Sequence, residues 1–94
     1  IYGSTKAGVI QLTKYLAVLM SKHKININCM SPGGILNKNK RQNNKFIRKY
    51  SNRIPINRMA NTEDFFTCIL FLSSEKSKYI TGQNIIIDGG LSAW

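Results

Sequence analysis

The sequence is poor in acid. Four of its 94 residues are Asp or Glu, against 14 Lys or Arg, for a formal net charge of +10. All four acids follow Arg58, so the stretch from Lys38 to Arg58 carries eight basic residues and no counter-charge. Such a block either attracts phosphates or an anionic substrate, or it is a solvated loop neutralised from elsewhere. Lys, Asn and Ile are heavily used along the whole chain, a bias that also arises from gene composition. Histidine occurs once, at His23 between Lys22 and Lys24. That setting predicts a helix C-terminus, where positive charge is favourable, and no second ligand is close enough in sequence for a metal. The two cysteines, Cys29 and Cys68, lack metal-ligand spacing and read as buried thiols in a reducing cytoplasm. No apolar run approaches the roughly 18 residues of a membrane span. There is no internal repeat and no initiator methionine. A 43% hydrophobic content suits a folded segment, and the length allows one small domain at most.

Residues 2 to about 22 carry a helical period. Tyr2, Lys6, Val9, Ile10, Thr13, Leu16, Ala17 and Met20 share one face, widened by Leu12 and Leu19. That face should pack on a sheet. Tyr15 and Val18 on the other side suggest a second partner, another subunit or other segments of the same chain. Ile25 to Met30 alternates like a strand, ended by Ser31-Pro32-Gly33-Gly34. Residues 37 to 45 are polar and of low complexity, which predicts a mobile loop. Phe46, Ile47 and Tyr50 anchor a helical turn after it. Asn61 or Thr62 caps a second helix, with Glu63 and Asp64 in its first turn and Phe65, Phe66, Ile69, Leu70 and Leu72 on its apolar side. Asn84 to Asp88 reads as a buried strand, because Ile85-Ile86-Ile87 is continuous and β-branched. The order helix, strand, loop, helix, strand predicts an α/β fold with one βαβ unit and parallel strands. Two parallel strands do not make an independent sheet, so further neighbouring strands are expected.

Tyr2 and Lys6 are four residues apart, which places their side chains on one helical face, roughly 5–6 Å apart at Cβ. A tyrosine with an ordinary pKa near 10 is a poor acid–base catalyst at neutral pH, and a nearby ammonium favours the phenolate. The bland alternative is a tyrosine packed by a snorkelling lysine. The pair shares the apolar stripe's face, so it is expected to point toward the core.

Three motifs occur in order: Tyr2-Gly3-Ser4-Thr5-Lys6, Ser31-Pro32-Gly33-Gly34-Ile35, and Ile80-Thr81-Gly82-Gln83 leading to Asp88-Gly89-Gly90. Together they resemble the C-terminal portion of a short-chain dehydrogenase/reductase. The resemblance implies that residues 1–94 are the C-terminal part of a single NAD(P)-binding, Rossmann-type doubly wound parallel sheet, with a substrate loop at about 36–61. It implies that Tyr2 is the general acid/base and that Lys6 partners it while binding the nicotinamide ribose. Pro32, Gly33 and Ile35 would approach the nicotinamide, with Ile35 meeting its carboxamide through main-chain groups. Asn37 would help bind the cofactor, although the family often has threonine there. Gly82 and Gly89-Gly90 are given structural roles in turns.

The cofactor implied is NAD or NADP, and the substrate a small-molecule alcohol or carbonyl compound. The full-length enzyme is implied to be a cytoplasmic homo-oligomer, a dimer or tetramer, with no metal, no membrane contact and no nucleic-acid partner. The Gly-rich dinucleotide fingerprint and the catalytic serine of the family are absent from these residues, so the chain is read as a piece that is inactive by itself. Two alternatives are a non-catalytic remnant or scaffold of this fold, and a basic module that binds polyanions through the 38–58 block.

Overall fold

The computed structural model describes residues 1–37, 39 and 42–94. The helix α1 spans Tyr2–Ser21, the strand β1 Cys29–Pro32, α2 Asn44–Ser51, α3 Glu63–Leu72 and β2 Asn84–Ile87. Short 3₁₀ turns occupy Glu75–Ser77 and Leu91–Ala93. Lys38, Lys40 and Arg41, part of the expected mobile loop and basic block, lie outside the described residues. The strands pair in the order β1-β2. They run parallel: Cys29 N–H donates to Gln83 O and Gly33 N–H to Ile87 O, the same offset at both positions. No helix among the described residues is long and apolar enough to cross a membrane. The chain folds as two compact units, Ile1–Met30 with Ile69–Ile85 and Ser31–Cys68 with Ile86–Trp94.

In the first unit, α1 buries Thr13 and Ala17 and half-buries Ile10, Leu16 and Met20. This is the later part of the predicted stripe. Leu12 and Leu19, expected to widen it, are exposed. Thr13 satisfies its hydroxyl by donating to Val9 O at 2.9 Å, the usual solution for a mid-helix threonine. Gly82, at φ +73°, brings its backbone against Ala17, so that a Cβ there would sit 3.4 Å from the Ala17 Cβ. The end of α1 is a Schellman motif. Lys24 adopts φ +60°, its N–H donates to Ser21 O at 2.9 Å, and Ile25 N–H reaches Met20 O at 3.4 Å.

The strand begins at Cys29, not at Ile25 as the alternation predicts. Residues 26–28 are outside the strand and are bonded mainly through side chains, beside one peptide bond in which Gly82 N–H donates to Ile27 O at 2.7 Å. Ile27 N–H donates to Thr81 Oγ1 at 3.1 Å, and Asn28 Nδ2 donates to Ile80 O at 2.9 Å. Asn28 Oδ1 in turn accepts from Gln83 N–H at 3.0 Å. The amide of Asn28 thus takes the place of a peptide group in the ladder. The strand continues through Pro32, which has no N–H to lose at its last position.

In the second unit, Ile54, Met59 and Phe65 form the buried core. An isolated parallel bridge joins Ile35 to Ala60: Ala60 N–H donates to Gly34 O, and Leu36 N–H to Ala60 O. Helix α2 is capped by Asn43, whose side chain accepts from Lys45 N–H at 2.8 Å. Its Phe46 and Tyr50 rings meet at 5.8 Å. Helix α3 starts with a reciprocal box, in which Asn61 Oδ1 accepts from Asp64 N–H at 3.1 Å and Asp64 Oδ2 accepts from Asn61 N–H at 2.8 Å. Of the five residues predicted for its apolar side, Phe65 is buried and Leu72 half-buried, whereas Phe66, Ile69 and Leu70 are exposed. Cys68 takes the intervening place in the covered row. In β2, Ile86 is 55% exposed. A continuous apolar strand wants cover on both faces, and among the described residues Ile86 is left largely uncovered.

Candidate active site

Tyr2 and Lys6 occupy the first two turns of α1, in the first unit. No acidic residue lies in that first turn, and Ile1 supplies no side-chain cap. Instead Thr5 turns back, donating both its N–H and its hydroxyl to Ile1 O at 3.0 Å. The i,i+4 spacing brings the pair together: Lys6 Nζ lies 5.5 Å from the centroid of the Tyr2 ring. At that distance an ammonium is attracted by the ring's negative face. Within this chain both residues are exposed, Tyr2 at 77%. The inward aim expected from the helical period is therefore not met here. The stripe becomes covered only from Ile10 onward.

Pro32, Gly33, Ile35 and Asn37 lie in the second unit, Pro32 at the end of β1 and the others on the segment leaving it. Gly33 has no room for a side chain, since a Cβ would sit 2.8 Å from Asp88 Cα. Gly34 is filled by the Tyr50 ring, whose Cε1 would lie 2.4 Å from an added Cβ. Both glycines therefore let backbone meet its neighbours at close range. Ile35 and Asn37 meet one side chain in common, that of Gln42. Its Oε1 accepts from Asn37 N–H at 3.0 Å, and its Nε2 donates to Ile35 O at 3.4 Å. The main chain thus presents one acceptor and one donor, spaced to hold a primary carboxamide. Asn37 Oδ1 accepts from Asn39 N–H at 3.0 Å, so that side chain serves its own loop. Ile35, Asn37 and Gln42 line a cleft of about 690 Å³ with Leu36, Asn61 and Thr62.

Two features escaped the sequence reading. Arg58, counted in the uncompensated basic block, is paired within the chain. Its Nη1 and Nη2 donate to Asp64 Oδ2 and Oδ1 at 2.7 and 2.8 Å. The Arg58 hydrogen bonds, with that from Asn61 N–H, hold the Asp64 carboxyl at about 2. Six residues of separation belong to no helical spacing rule, so only the Asn61–Asp64 box was legible. The second feature is Asp88. Its carboxylate accepts from Gly90 N–H at 2.9 Å and Ser92 N–H at 2.8 Å, and bonding to Ser92 lowers its pKa. It caps the closing 3₁₀ turn, after Gly89 and Gly90 have reversed the chain at positive φ.

The family described as enoyl-(acyl carrier protein) reductase matches residues 1–92. The ribulose-forming D-arabinitol 2-dehydrogenase of Candida albicans is 39% identical, with 99% of this chain and 35% of that protein aligned. The 7alpha-hydroxysteroid dehydrogenase of Bacteroides fragilis is 42% identical, over 98% of this chain and 36% of that protein. Among solved structures, a short chain dehydrogenase from Leptospira borgpetersenii with bound NAD+ superposes with a TM-score of 0.88 at 45% identity, over 97% of this chain and 35% of that one. The 4-hydroxyisoleucine dehydrogenase complexed with NADH gives 0.89 at 30% identity, over 99% and 40%. The chain spans about a third of the length of the curated relatives it matches. All four relatives are dehydrogenases, and the fold here is part of theirs.

Proposed function

The chain belongs to the short-chain dehydrogenase/reductase family, and from that premise we propose that it carries the proton-transferring pair of an NAD(P)-dependent oxidoreductase acting on an alcohol or carbonyl compound. The observation that carries the reading is the seating of Lys6 Nζ over the Tyr2 ring, 5.5 Å from its centroid, on two successive helical turns. In the reducing direction Tyr2 gives its phenolic proton to the carbonyl oxygen. In the oxidising direction it takes the proton of the alcohol. Lys6 holds its ammonium over the face of the tyrosine ring that makes this exchange.

A nicotinamide cofactor, when bound, supplies or receives the hydride. The second unit offers groups that fit such a cofactor. That Ile35 O accepts from, and Asn37 N–H donates to, the Gln42 amide supports the reading that they would hold a primary carboxamide, the polar group that nicotinamide bears. Pro32 and Gly33 lead into that backbone, and Gly33 lets it pass close against Asp88. Tyr15 and Val18, both exposed on α1, support the further reading that the whole enzyme is a homo-oligomer.

In the whole protein, Tyr2→Phe removes the proton and keeps the ring under Lys6. Turnover should fall by at least about 100-fold, while the cofactor dissociation constant stays unchanged. Retained turnover would remove the assignment.

A further inference from the structure

Helix α2 carries its charge on one side, with Lys45, Arg48 and Lys49, and Arg53 follows in the turn just after it; all four are exposed. Phe46, Ile47 and Tyr50 take the opposite side. Among the described residues none of the four cations has an ion-pair partner, and Arg58–Asp64 is the pair that is formed. The acids of this unit are committed elsewhere: Asp64 to Arg58, Asp88 to the closing turn, and Glu63 on the cleft beside Ile35. Lys45 and Lys49, four apart, repel each other across one turn, although Arg48 and Lys49 also suit the C-terminal end of the helix. A group of cations with no acid beside it is complementary to an anion.

The group leads into a groove. Tyr50, Arg53, Leu91 and Trp94 line an open space of about 650 Å³, the size that drug-sized ligands fill. Trp94 is 85% exposed, yet its indole is fixed, because Nε1 donates to Arg53 O at 3.1 Å. One residue therefore ends the cationic group and also anchors an aromatic platform. We propose that this groove binds a ligand made of an apolar body and a phosphate monoester. The body rests on Tyr50, Leu91 and Trp94, and the phosphate on Arg53 with Lys49 one turn before it. A phosphate monoester carries close to two charges at neutral pH and three acceptor oxygens, which suits several cations better than a single carboxylate does.

Trp94 is the only tryptophan of this sequence, and it reports on the groove directly. The whole protein is titrated with hexyl phosphate, hexanol or inorganic phosphate, and the Trp94→Phe spectrum is subtracted to isolate the signal. Hexyl phosphate should bind at least tenfold more tightly than either other probe, and more weakly as salt is raised. Arg53→Gln should cost that tenfold preference. The double change Arg48→Gln, Lys49→Gln should reduce it without touching the groove wall. Equal binding of hexanol and hexyl phosphate, or a preference intact in Arg53→Gln, would overturn the proposal. Tyr2→Phe should leave the titration unchanged, so a failure of the oxidoreductase reading is seen in turnover and a failure of this one in fluorescence.

Discussion

Arg58 and Asp64 hold each other through two parallel hydrogen bonds, and Asp64 at the same time closes the N-terminus of α3 through Asn61. One carboxylate thus ties the 53–59 loop to a helix. The folded-state pKa of about 2 lies below the unfolded value of about 3.9. The stabilisation it brings is present above about pH 4 and drains away as the pH falls through about 2. Asp64→Asn should flatten that acid limb. Urea midpoints of the whole protein between pH 2 and 6 measure it, and parallel limbs for variant and parent would contradict it.

Gly34→Ala should destabilise by about 1–3 kcal/mol, because the new methyl drives into the Tyr50 ring. Tyr50→Ala should cost stability alone yet absorb much of the loss when combined with it. Denaturant midpoints of the two single variants and the double give the coupling. Simple additivity would mean that the ring turns aside freely.

Lys24→Gly should stabilise by about 1 kcal/mol, since a lysine at φ +60° carries a steric cost that glycine escapes. The Schellman bonds are backbone bonds and survive the change. A raised thermal midpoint is the expected readout; a lowered one would show that the lysine side chain does more than solvate itself.

Lys6→Met should lower turnover by about 100-fold in the whole enzyme while leaving the helix intact. The buried contacts of α1 begin beyond it, at Thr13 and Ala17. Circular dichroism beside steady-state kinetics separates the two effects. Arg in its place keeps a charge on a broader, planar group and should recover only part of the rate.

The long elements were legible because they rest on repetition. The 3.6-residue period of α1 and the continuous isoleucines of β2 place both elements within a residue or so, and the parallel pairing follows from the βαβ order. What escaped rests on single side chains acting out of sequence order. The start of β1 moved from Ile25 to Cys29 where Asn28 and Thr81 side chains take up most of the bonding, beside the single peptide bond from Gly82 N–H to Ile27 O. The cover of α1 also escaped: periodicity names a face, and the neighbours of that face lie far away in sequence. Leu12 and Leu19 show the difference. For the site, the spacing of Tyr2 and Lys6 was readable, but Gln42 was not, since nothing in a polar loop marks which amide will fold back.

The amide of Asn28 has a consequence for how this gene can drift. It grips Ile80 O and Gln83 N–H together, across a separation of 52 residues from Ile80. If the first strand slid by one place, Ile27 or Cys29 would stand there, and neither has both a donor and an acceptor to offer. Insertions and deletions between these points therefore need not be passed on as a shifted strand register. The crossover is where the chain can change length, and Asn28 is the clasp that makes such change harmless to the sheet.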